Sequence, residues 1–285
     1  MKMQRKKIIQ HIMFYLFGLS AILVVGVLVA ILVYIFENGI SVINWDFLTK
    51  MPEDGMTKGG IYPAIIGTLC LVAGSLIFAI PVGICSGIYM NEYLQEGRLK
   101  RFITLMTDSL AGVPSIVFGL FGMALFVNKM KFGDSILAGS LTLGLMVLPV
   151  IIRTTEEALK SIDDTLRHAA YGLGASKLFT IKKVLLPIAI PNIVTGIILS
   201  IGRVSGETAP ILFTVAAYFL PKLPNSIFDQ VMALPYHLYV IVTSGTDIEK
   251  SRPIAYGTAL VLIFIVLASN IFAGILRAWF IKKNK

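Results

Sequence analysis

Long apolar runs that recur along the chain limit what this sequence can fold into more than any other feature does. The 285 residues are 56% hydrophobic and only 14% charged, and so few charges would not let a soluble domain of this size cover its apolar side chains. Several runs reach the ~20 residues that a helix needs to cross the ~30 Å hydrocarbon core of a bilayer. The sequence therefore predicts an all-α, polytopic membrane protein, built as a helical bundle.

The apolar runs predict six transmembrane helices. Their expected bounds are residues 8–36, 63–89, 102–128 and 135–152, a fifth stretch that follows Pro187 and is interrupted near 206–210, and 254–279. Residues 1–62 would form an N-terminal helix with an outer segment, and residues 63–285 the core. In that core, Asp229, Pro235 and His237 interrupt an apolar piece at 227–243, which is typical of a helix on the outer surface or of a re-entrant segment.

Basic residues are divided unequally between the two sides that six spans define. Sixteen Lys and Arg residues lie on the side of the two termini and seven on the opposite side. The side with the excess is expected to be cytoplasmic, so both termini would face the cytoplasm. The net charge of +9 accompanies apolar runs rather than a soluble basic surface, which favours membrane lipid as a partner and argues against nucleic acid.

A polar stretch at residues 154–187 separates the fourth span from the fifth and predicts two short helices. Ser161 has the character of a helix N-cap, with Asp164 in the first turn. The first helix would end at Gly174, and the second would carry Lys177–Lys183 into the next span. Five apolar side chains of this stretch are expected to meet a partner surface rather than water. They are Leu166, Tyr171, Leu173, Leu178 and Phe179.

Two charged residues fall inside the fifth apolar run. Arg203 and Glu207 are four residues apart, so on a helix they would share a face and pair. A charge in the membrane is costly and usually functional, and the arginine fork suits a tetrahedral oxyanion because it donates parallel hydrogen bonds. Ser205 and Thr208 would add hydroxyl donors, and a helix that restarts near Pro210 would add free N–H groups. The alternative is a static ion pair that fixes the fifth span.

Another arginine, Arg153, closes the fourth apolar run. On a straight helix it lies ~27 Å below Ser135, near the cytosolic face. That position suits either a contact with an anion on the exit side or a snorkelling side chain that fixes orientation.

The polar stretch resembles the cytosolic motif of importer-type ABC permeases, which reads Glu-Ala-Ala, three residues, Gly, nine residues, Ile, one residue, Leu-Pro. At this spacing the chain has His168-Ala169-Ala170, Gly174, Val184 and Leu186-Pro187, with His in place of the Glu and Val in place of the Ile. The resemblance implies the fold of a type I importer permease, with this stretch docked in a groove of an ATPase subunit. The residues that it implicates in coupling to the ATPase are Leu166, His168, Ala169, Ala170, Tyr171, Gly174, Lys177, Leu178, Phe179, Leu186 and Pro187.

The chain has no nucleotide-binding signature of its own. No segment fits Gly, four residues, Gly-Lys-Ser/Thr, the loop that cradles phosphates in many ATPases. We therefore expect no cofactor on this chain and a separate subunit that uses ATP and Mg.

Further strings look like those of the phosphate ABC permease family of the PstA type. They lie at residues 59–68, 88–93, 111–117, 148–158 and 206–210. The resemblance implies a multi-pass protein of a prokaryotic cell membrane that works with a second homologous permease, two ATP-binding subunits and an extracytoplasmic phosphate-binding protein. It also implies that Arg203 and Arg153 line the phosphate path.

Other functions remain open on the residues alone. The same machine would also suit molybdate, tungstate or sulfate, although phosphate can donate a proton to Glu207 and those dianions cannot. An anion channel or carrier that works without ATP would transport phosphate in the absence of any ATPase. A membrane enzyme is disfavoured because the three histidines are scattered without metal-ligand spacing and no nucleophile–base pair is visible.

Overall fold

A computed structural model of the chain describes residues 2–244 and 248–283. Across these residues the all-α prediction is confirmed: α-helices are joined by π- and 3-10-helical turns, and two short strands form one hairpin. The helices are α1 (Lys2–Gly39), α2 (Trp45–Thr49), α3 (Tyr62–Ile88), α4 (Arg98–Ala111), α5 (Ser115–Gly122), α6 (Ile136–Lys160), α7 (Asp164–Gly172), α8 (Lys177–Thr180), α9 (Leu186–Gly206), α10 (Ala209–Leu212), α11 (Leu234–Ser244) and α12 (Ile248–Lys283). The π-helical turns are Tyr89–Tyr93, Met123–Lys129 and Ile181–Leu185, and the strands are β1 (Pro52–Glu53) and β2 (Lys58–Gly59).

Five continuous helical stretches in the described part of the chain are long and apolar enough to cross a membrane. They are Ile9–Val42, Tyr62–Tyr93, Ile136–Lys160, Lys177–Gly206 and Ser251–Lys282. The predicted spans are present at these five places, and the fourth is longer than expected because α6 continues past residue 152 to Lys160. A sixth crossing exists if the bent pair α4 and α5 is counted as one span.

The third predicted span, residues 102–128, is wrong as a continuous helix. Arg98–Ala111 and Ser115–Lys129 meet at an angle of 100°. Pro114 lies at the junction with φ −57° and ψ 141°. A proline lacks the N–H that would continue the helix, and it also restricts the residue before it. Helix α4 therefore leaves the line of α5 and packs against α6.

Helices α3 and α6 form the centre of the bundle because glycines let them approach closely. A Cβ added at Gly83 would lie 2.6 Å from the Ile151 side chain, and one at Gly87 would lie 2.8 Å from the carbonyl oxygen of Ile152. Buried side chains of this pair include Leu71, Ala79, Leu143, Met146 and Val147. Helix α9 also packs on α6, so the polar stretch connects two helices that contact each other.

The irregular segment between α10 and α11 closes over the start of α6. The Ser135 side chain accepts a backbone hydrogen bond at 3.2 Å and caps the helix. The N–H groups of Ile136 and Leu137 donate to the carbonyl oxygens of Asp229 and Ile227, each at 2.9 Å. These bonds satisfy donors that the start of a helix leaves unpaired, so this irregular segment and α6 are fixed to each other.

The broken apolar piece at 227–243 supplies the short helix α11. It has eleven residues, and a rise of 1.5 Å per residue makes it ~16 Å long, too short to cross the hydrocarbon core. Helix α11 packs on α12 and α3, and Leu234, Val240 and Ile241 are buried. One face of α11 is thus buried against protein, while Tyr239 and Val242 are exposed. Whether α11 lies on the outer surface or forms part of a re-entrant segment stays a prediction.

Helix α1 packs along α12 and leaves most of its apolar side chains exposed. The rings of Tyr34 and Tyr256 meet edge to face, with centroids 5.7 Å apart. Exposed apolar side chains of this kind need no protein cover in lipid. The boundary between residues 62 and 63 stays a prediction, and Lys285, which contributes to the charge asymmetry, lies outside the described residues.

Candidate functional site

The polar stretch folds into two short helices, but the first begins later than its sequence predicts. The cap of α7 is Asp163, whose Oδ1 accepts the N–H of Thr165 at 2.8 Å. The prediction that Ser161 is the cap is wrong, because Ser161 keeps helical angles at the end of α6 and its hydroxyl donates to the Ala158 carbonyl oxygen at 2.9 Å. The hydrogen bonds from Thr165 also lower the pKa of Asp163, because they stabilise its charged carboxylate.

Gly174 turns the chain between the two helices, as the sequence predicts. Its φ of +79° lies in the left-handed region, where a residue with a Cβ is strained. Its N–H donates to the Tyr171 carbonyl oxygen at 2.9 Å, and the N–H of Ala175 donates to that of Ala170 at 3.1 Å. These bonds close the end of α7, and Ser176 then caps α8, which continues through a π-helical turn into α9.

Five apolar side chains of this segment face outward, and we call them the coupling patch: Leu166, Tyr171, Leu173, Leu178 and Phe179. Their exposed fractions run from 41% for Leu166 and Tyr171 to 89% for Leu173. Of the remaining motif residues, His168, Ala169, Gly174 and Lys177 are also exposed, whereas Ala170 is buried. Leu186 and Pro187 are half-buried at the start of α9. An exposed apolar patch on a short polar segment marks a contact surface.

An ion pair between Arg167 and Glu92 joins the polar stretch at residues 154–187, which we call the coupling segment, to the end of α3. The Nη2 atom of Arg167 lies 2.8 Å from Oε1 of Glu92, and the exposed fractions of the two side chains are 13% and 5%. Next to it, Nζ of Lys177 lies 4.6 Å from the centre of the Tyr93 ring. Sequence reasoning missed this pair because its members are 75 residues apart and no local spacing connects them.

The break predicted near residues 206–210 is confirmed, as is the ion pair beside it. Helix α9 ends at Gly206, and Glu207 has an extended backbone with φ −76° and ψ 130°. Its Oε1 nevertheless lies 3.7 Å from Nε of Arg203. The Arg203 side chain is 34% exposed, and among the described residues it makes this ion pair and no hydrogen bond. Its guanidinium therefore keeps donors that are free for a solute.

The other predicted donors contribute less to this site. The hydroxyl of Ser205 is buried and donates to the Ile201 carbonyl oxygen at 2.8 Å, so the structure does not bring it to Arg203. Thr208 is half-buried beside the break. The helix restarts near Pro210 as expected, but α10 has only four residues, and the dipole of so short a helix is weak.

Arg153 lies in a separate, basic cavity of about 600 Å³ at the far end of α6. Its Nη1 is 2.7 Å from Oε2 of Glu156, and its Nε is 2.9 Å from Oδ1 of Asp108 on α4. Other basic side chains that line the cavity are Arg98, Lys100, Arg101 and Lys160. Glu96 and Glu156 also line the cavity, and Lys100 pairs with Glu96 at 2.7 Å. Arg153 thus holds α4 against α6 in a cavity where basic side chains outnumber acidic ones.

The two arginines do not share one site. A Cβ added at Gly196 of α9 would clash with the side chain of Thr154, so Arg153 lies near the level of residue 196. Arg203 is seven residues further along α9, which corresponds to ~10 Å at 1.5 Å per residue. The two arginines, each paired with carboxylates, therefore lie at different levels of the bundle.

The sequence matches a family of known proteins over most of its length. A model of the family described as "Binding-protein-dependent transport system inner membrane component" matches residues 79–285. The chain belongs to this family. It is therefore a multi-pass membrane protein and the membrane component of a transport system, which agrees with the motif at residues 168–187.

Several relatives are similar to the chain over nearly its whole length. It is 35% identical to the "Probable ABC transporter permease protein YqgI" of Bacillus subtilis, with 98% of each chain covered. It is 38% identical to the "Phosphate transport system permease protein PstA" of Mycobacterium leprae, over 96% of this chain and 90% of the relative. The protein of the same description from Pasteurella multocida is 33% identical, over 90% and 88%.

Solved structures show the same fold at low sequence identity. A chain of the bacterial alginate ABC transporter superposes with a TM-score of 0.65 and 14% identity, over 90% of this chain and 92% of that chain. A chain of the MetNI methionine ABC transporter, in an inward-facing conformation, gives a TM-score of 0.58 and 15% identity, over 77% and 97%. The fold is that of a type I ABC importer permease, as the sequence predicts.

Proposed function

We propose that the chain is the membrane-spanning permease subunit of an ATP-driven, binding-protein-dependent phosphate importer. Arg203 carries this proposal. It is a half-buried arginine at the break of a membrane helix, and within the described part of the chain its guanidinium makes an ion pair with Glu207 but no hydrogen bond. Such a group suits a tetrahedral oxyanion, and relatives that cover most of the chain are described as phosphate transport permeases.

The binding strength at Arg203 is limited by its neighbour. Glu207 holds the guanidinium from one side, and its negative charge repels an anion, so the solute is attracted without being trapped. Phosphate that carries a proton can donate it to this carboxylate as a hydrogen bond, whereas fully deprotonated sulfate or molybdate cannot. The basic cavity around Arg153 receives the anion ~10 Å further along.

The chain does not hydrolyse ATP itself in this proposal. Two ATP-binding subunits, which use ATP and Mg, dock on the coupling patch, and a second homologous permease completes the path. An extracytoplasmic phosphate-binding protein delivers the solute to the outer face. Closure of the ATPases displaces α7 and α8 and changes the bundle from inward-facing to outward-facing. In such a cycle, a ligand shifts the equilibrium between the inward-facing and outward-facing states only if it binds one of them more tightly than the other.

The proposed location is the cell membrane of a prokaryote, with both termini in the cytoplasm. The excess of basic residues on the side of the termini supports this orientation. In this proposed orientation, the coupling patch faces the cytosol, where ATP is available. The division of the chain into residues 1–62 and 63–285 belongs to the same proposal.

Transport by the reconstituted complex tests the function. Phosphate uptake is measured in proteoliposomes that contain this chain, its partner permease and both ATPases, with the binding protein outside and ATP inside. We expect uptake that requires ATP and the binding protein and that excess sulfate or molybdate does not suppress. Equal uptake without ATP would indicate a carrier, and suppression by another oxyanion would reassign the solute.

A further inference from the structure

The Glu92–Arg167 ion pair connects the coupling segment to the membrane bundle. We propose that this pair is the link through which a displacement of α7 reaches α3, so that Glu92 and Arg167 are positioning residues for transport. The inference rests on the proposed function, because it assigns a mechanical role within ATP-driven import.

The guanidinium of Arg167 is held by three elements at once. Its Nη2 donates to Oε1 of Glu92 and to the Leu159 carbonyl oxygen, both at 2.8 Å. Its Nη1 donates to the Ile162 carbonyl oxygen at 2.9 Å and to Oδ1 of Asp164 at 3.0 Å. These acceptors belong to the end of α3, the end of α6 with its following turn, and α7 itself. The flat, five-donor fork of arginine can satisfy all of them, whereas the ammonium group of lysine cannot.

The carboxylate of Glu92 is fixed from its own side. It lies in the π-helical turn Tyr89–Tyr93 that ends α3, and the side-chain amide of Asn91 donates to the same Oε1 at 2.7 Å. The Glu92 side chain is 5% exposed. Separating the pair would leave the buried Glu92 carboxylate with the Asn91 amide but without its ion-pair partner, which is strongly unfavourable. The two helices therefore move together more readily than they come apart.

Apolar packing joins the residues on either side of α7 to α3, because Ile162, Ile181 and Leu185 share a cluster against which Ile84 and Ile88 pack. Among the described residues, α7 itself adds none to that cluster, so the ion pair is its own contact with the end of α3. Helix α7 packs mainly within its own segment, against α8 and the turn Ile181–Leu185. The contact of Lys177 with the Tyr93 ring ties α8 to the same turn of α3. Helix α3 in turn packs along the length of α6, so a displacement that enters α3 at Glu92 is passed to the centre of the bundle.

Removing the charge of Glu92 in the complete four-component transporter tests the link. Glu92→Gln keeps the size of the side chain but loses the ion pair. We expect phosphate transported per ATP hydrolysed to fall by about tenfold, within the range by which coupling residues change linked equilibria. Co-purification of the ATPases and their own KM for ATP should stay unchanged. Arg167→Lys, which cannot reach all three elements, should give the same loss.

The matched control is Asp164→Asn. It removes one negative charge from the same arginine, but Asp164 is 79% exposed and lies on α7 itself, so no connection between elements is lost. The phosphate that this variant transports per ATP hydrolysed should stay within about twofold of wild type, as expected for an exposed ion pair. If Glu92→Gln transports as much phosphate per ATP hydrolysed as Asp164→Asn does, the proposed link is refuted.

A distance measurement keeps the proposal testable even where a variant assembles poorly. Spin labels replace the exposed residues Gln95 and Thr165 in an otherwise wild-type complex without its two native cysteines. We expect one Gln95–Thr165 distance distribution in both the nucleotide-free and the ATP-bound states. A change of several ångströms between states, with transport intact, would overturn the inference. If the wild-type complex instead fails to transport phosphate, the proposed function fails, independently of the pair.

Discussion

At the scale of single residues, Arg203 has the strongest claim to contact the solute. A charge within a membrane helix is costly, and the ion pair with Glu207 at 3.7 Å offsets only part of this cost because its geometry allows no hydrogen bond. The break after Gly206 lets the two side chains adjust to a third charged group. An ion pair with only a structural role would be more stable on a continuous helix, with its two charged groups closer together.

Replacing Arg203 therefore separates a transport role from a structural one. We expect Arg203→Gln to abolish phosphate uptake while the complex still assembles. The substitution removes the guanidinium at the helix break but keeps a polar side chain of similar length. Uptake in proteoliposomes and subunit co-purification are the measurements. The control Lys222→Gln removes one positive charge from an exposed position away from the helix break and should transport normally. If Arg203→Gln takes up phosphate with wild-type affinity, the ion pair has only a structural role.

Sequence spacing is a good guide to local partners and a poor guide to distant ones. The interval of four residues predicted the pair of Arg203 and Glu207, which forms although Glu207 lies beyond the end of the helix. Spacing could not show that the Ser205 hydroxyl donates to its own helix. It also could not show that Arg167 reaches Glu92, because that contact depends on how α3, α6 and α7 pack.

At the scale of the elements, the turn at Gly174 decides the angle between α7 and α8. Its positive φ and the hydrogen bond from its N–H to the Tyr171 carbonyl oxygen set the direction in which Leu178 and Phe179 face relative to Leu166. The shape of the coupling patch thus depends on one residue that a Cβ would strain.

A proline at this turn should separate ATP hydrolysis from transport. Gly174→Pro cannot adopt the left-handed φ and lacks the N–H that Tyr171 accepts, so the two short helices should lose their relative orientation. We expect loss of ATPase co-purification or of transport-linked ATPase stimulation. The control Gly172→Ala lies inside α7 with open space around it and should behave as wild type. Normal co-purification with unchanged stimulation in Gly174→Pro would contradict this role.

Helices α3 and α6 approach each other closely at Gly87, where a side chain should not fit. An added Cβ at Gly87 would meet the Thr155 Cβ at 2.6 Å and the backbone of Ile152 at 2.8 Å, so the helices would have to separate. We expect Gly87→Ala to destabilise the protein by about 1–3 kcal/mol, as overpacking does, and to lower the Tm in detergent. Gly18→Ala on the exposed α1 meets nothing within 4 Å and should leave the Tm unchanged or higher. Equal Tm values would show that the contact is loose.

Hydrophobic runs predicted the places of the long helices because each run must fill the bilayer, but they predicted six spans where the described residues form five continuous ones and a bent pair. They did not predict the 100° bend between α4 and α5, since apolar composition carries no direction and Pro114 is compatible with a mild kink as well as a full break. The start of α7 was missed for a similar reason: Ser161 and Asp163 are both good caps, and only the extension of α6 to Lys160 decides between them.

At the scale of the whole molecule, orientation determines whether the mechanism can work. An ATPase can dock on the coupling patch only if that patch faces the cytosol, and the binding protein can approach only from the other side. Impermeant maleimide labelling of single cysteines, placed in a chain without Cys70 and Cys85, tests this. We expect Lys222→Cys to react in intact spheroplasts and Gln95→Cys to react only after permeabilisation, because these exposed residues would lie on opposite faces. The reverse pattern would place the coupling patch outside the cell, where no ATP-driven subunit could reach it.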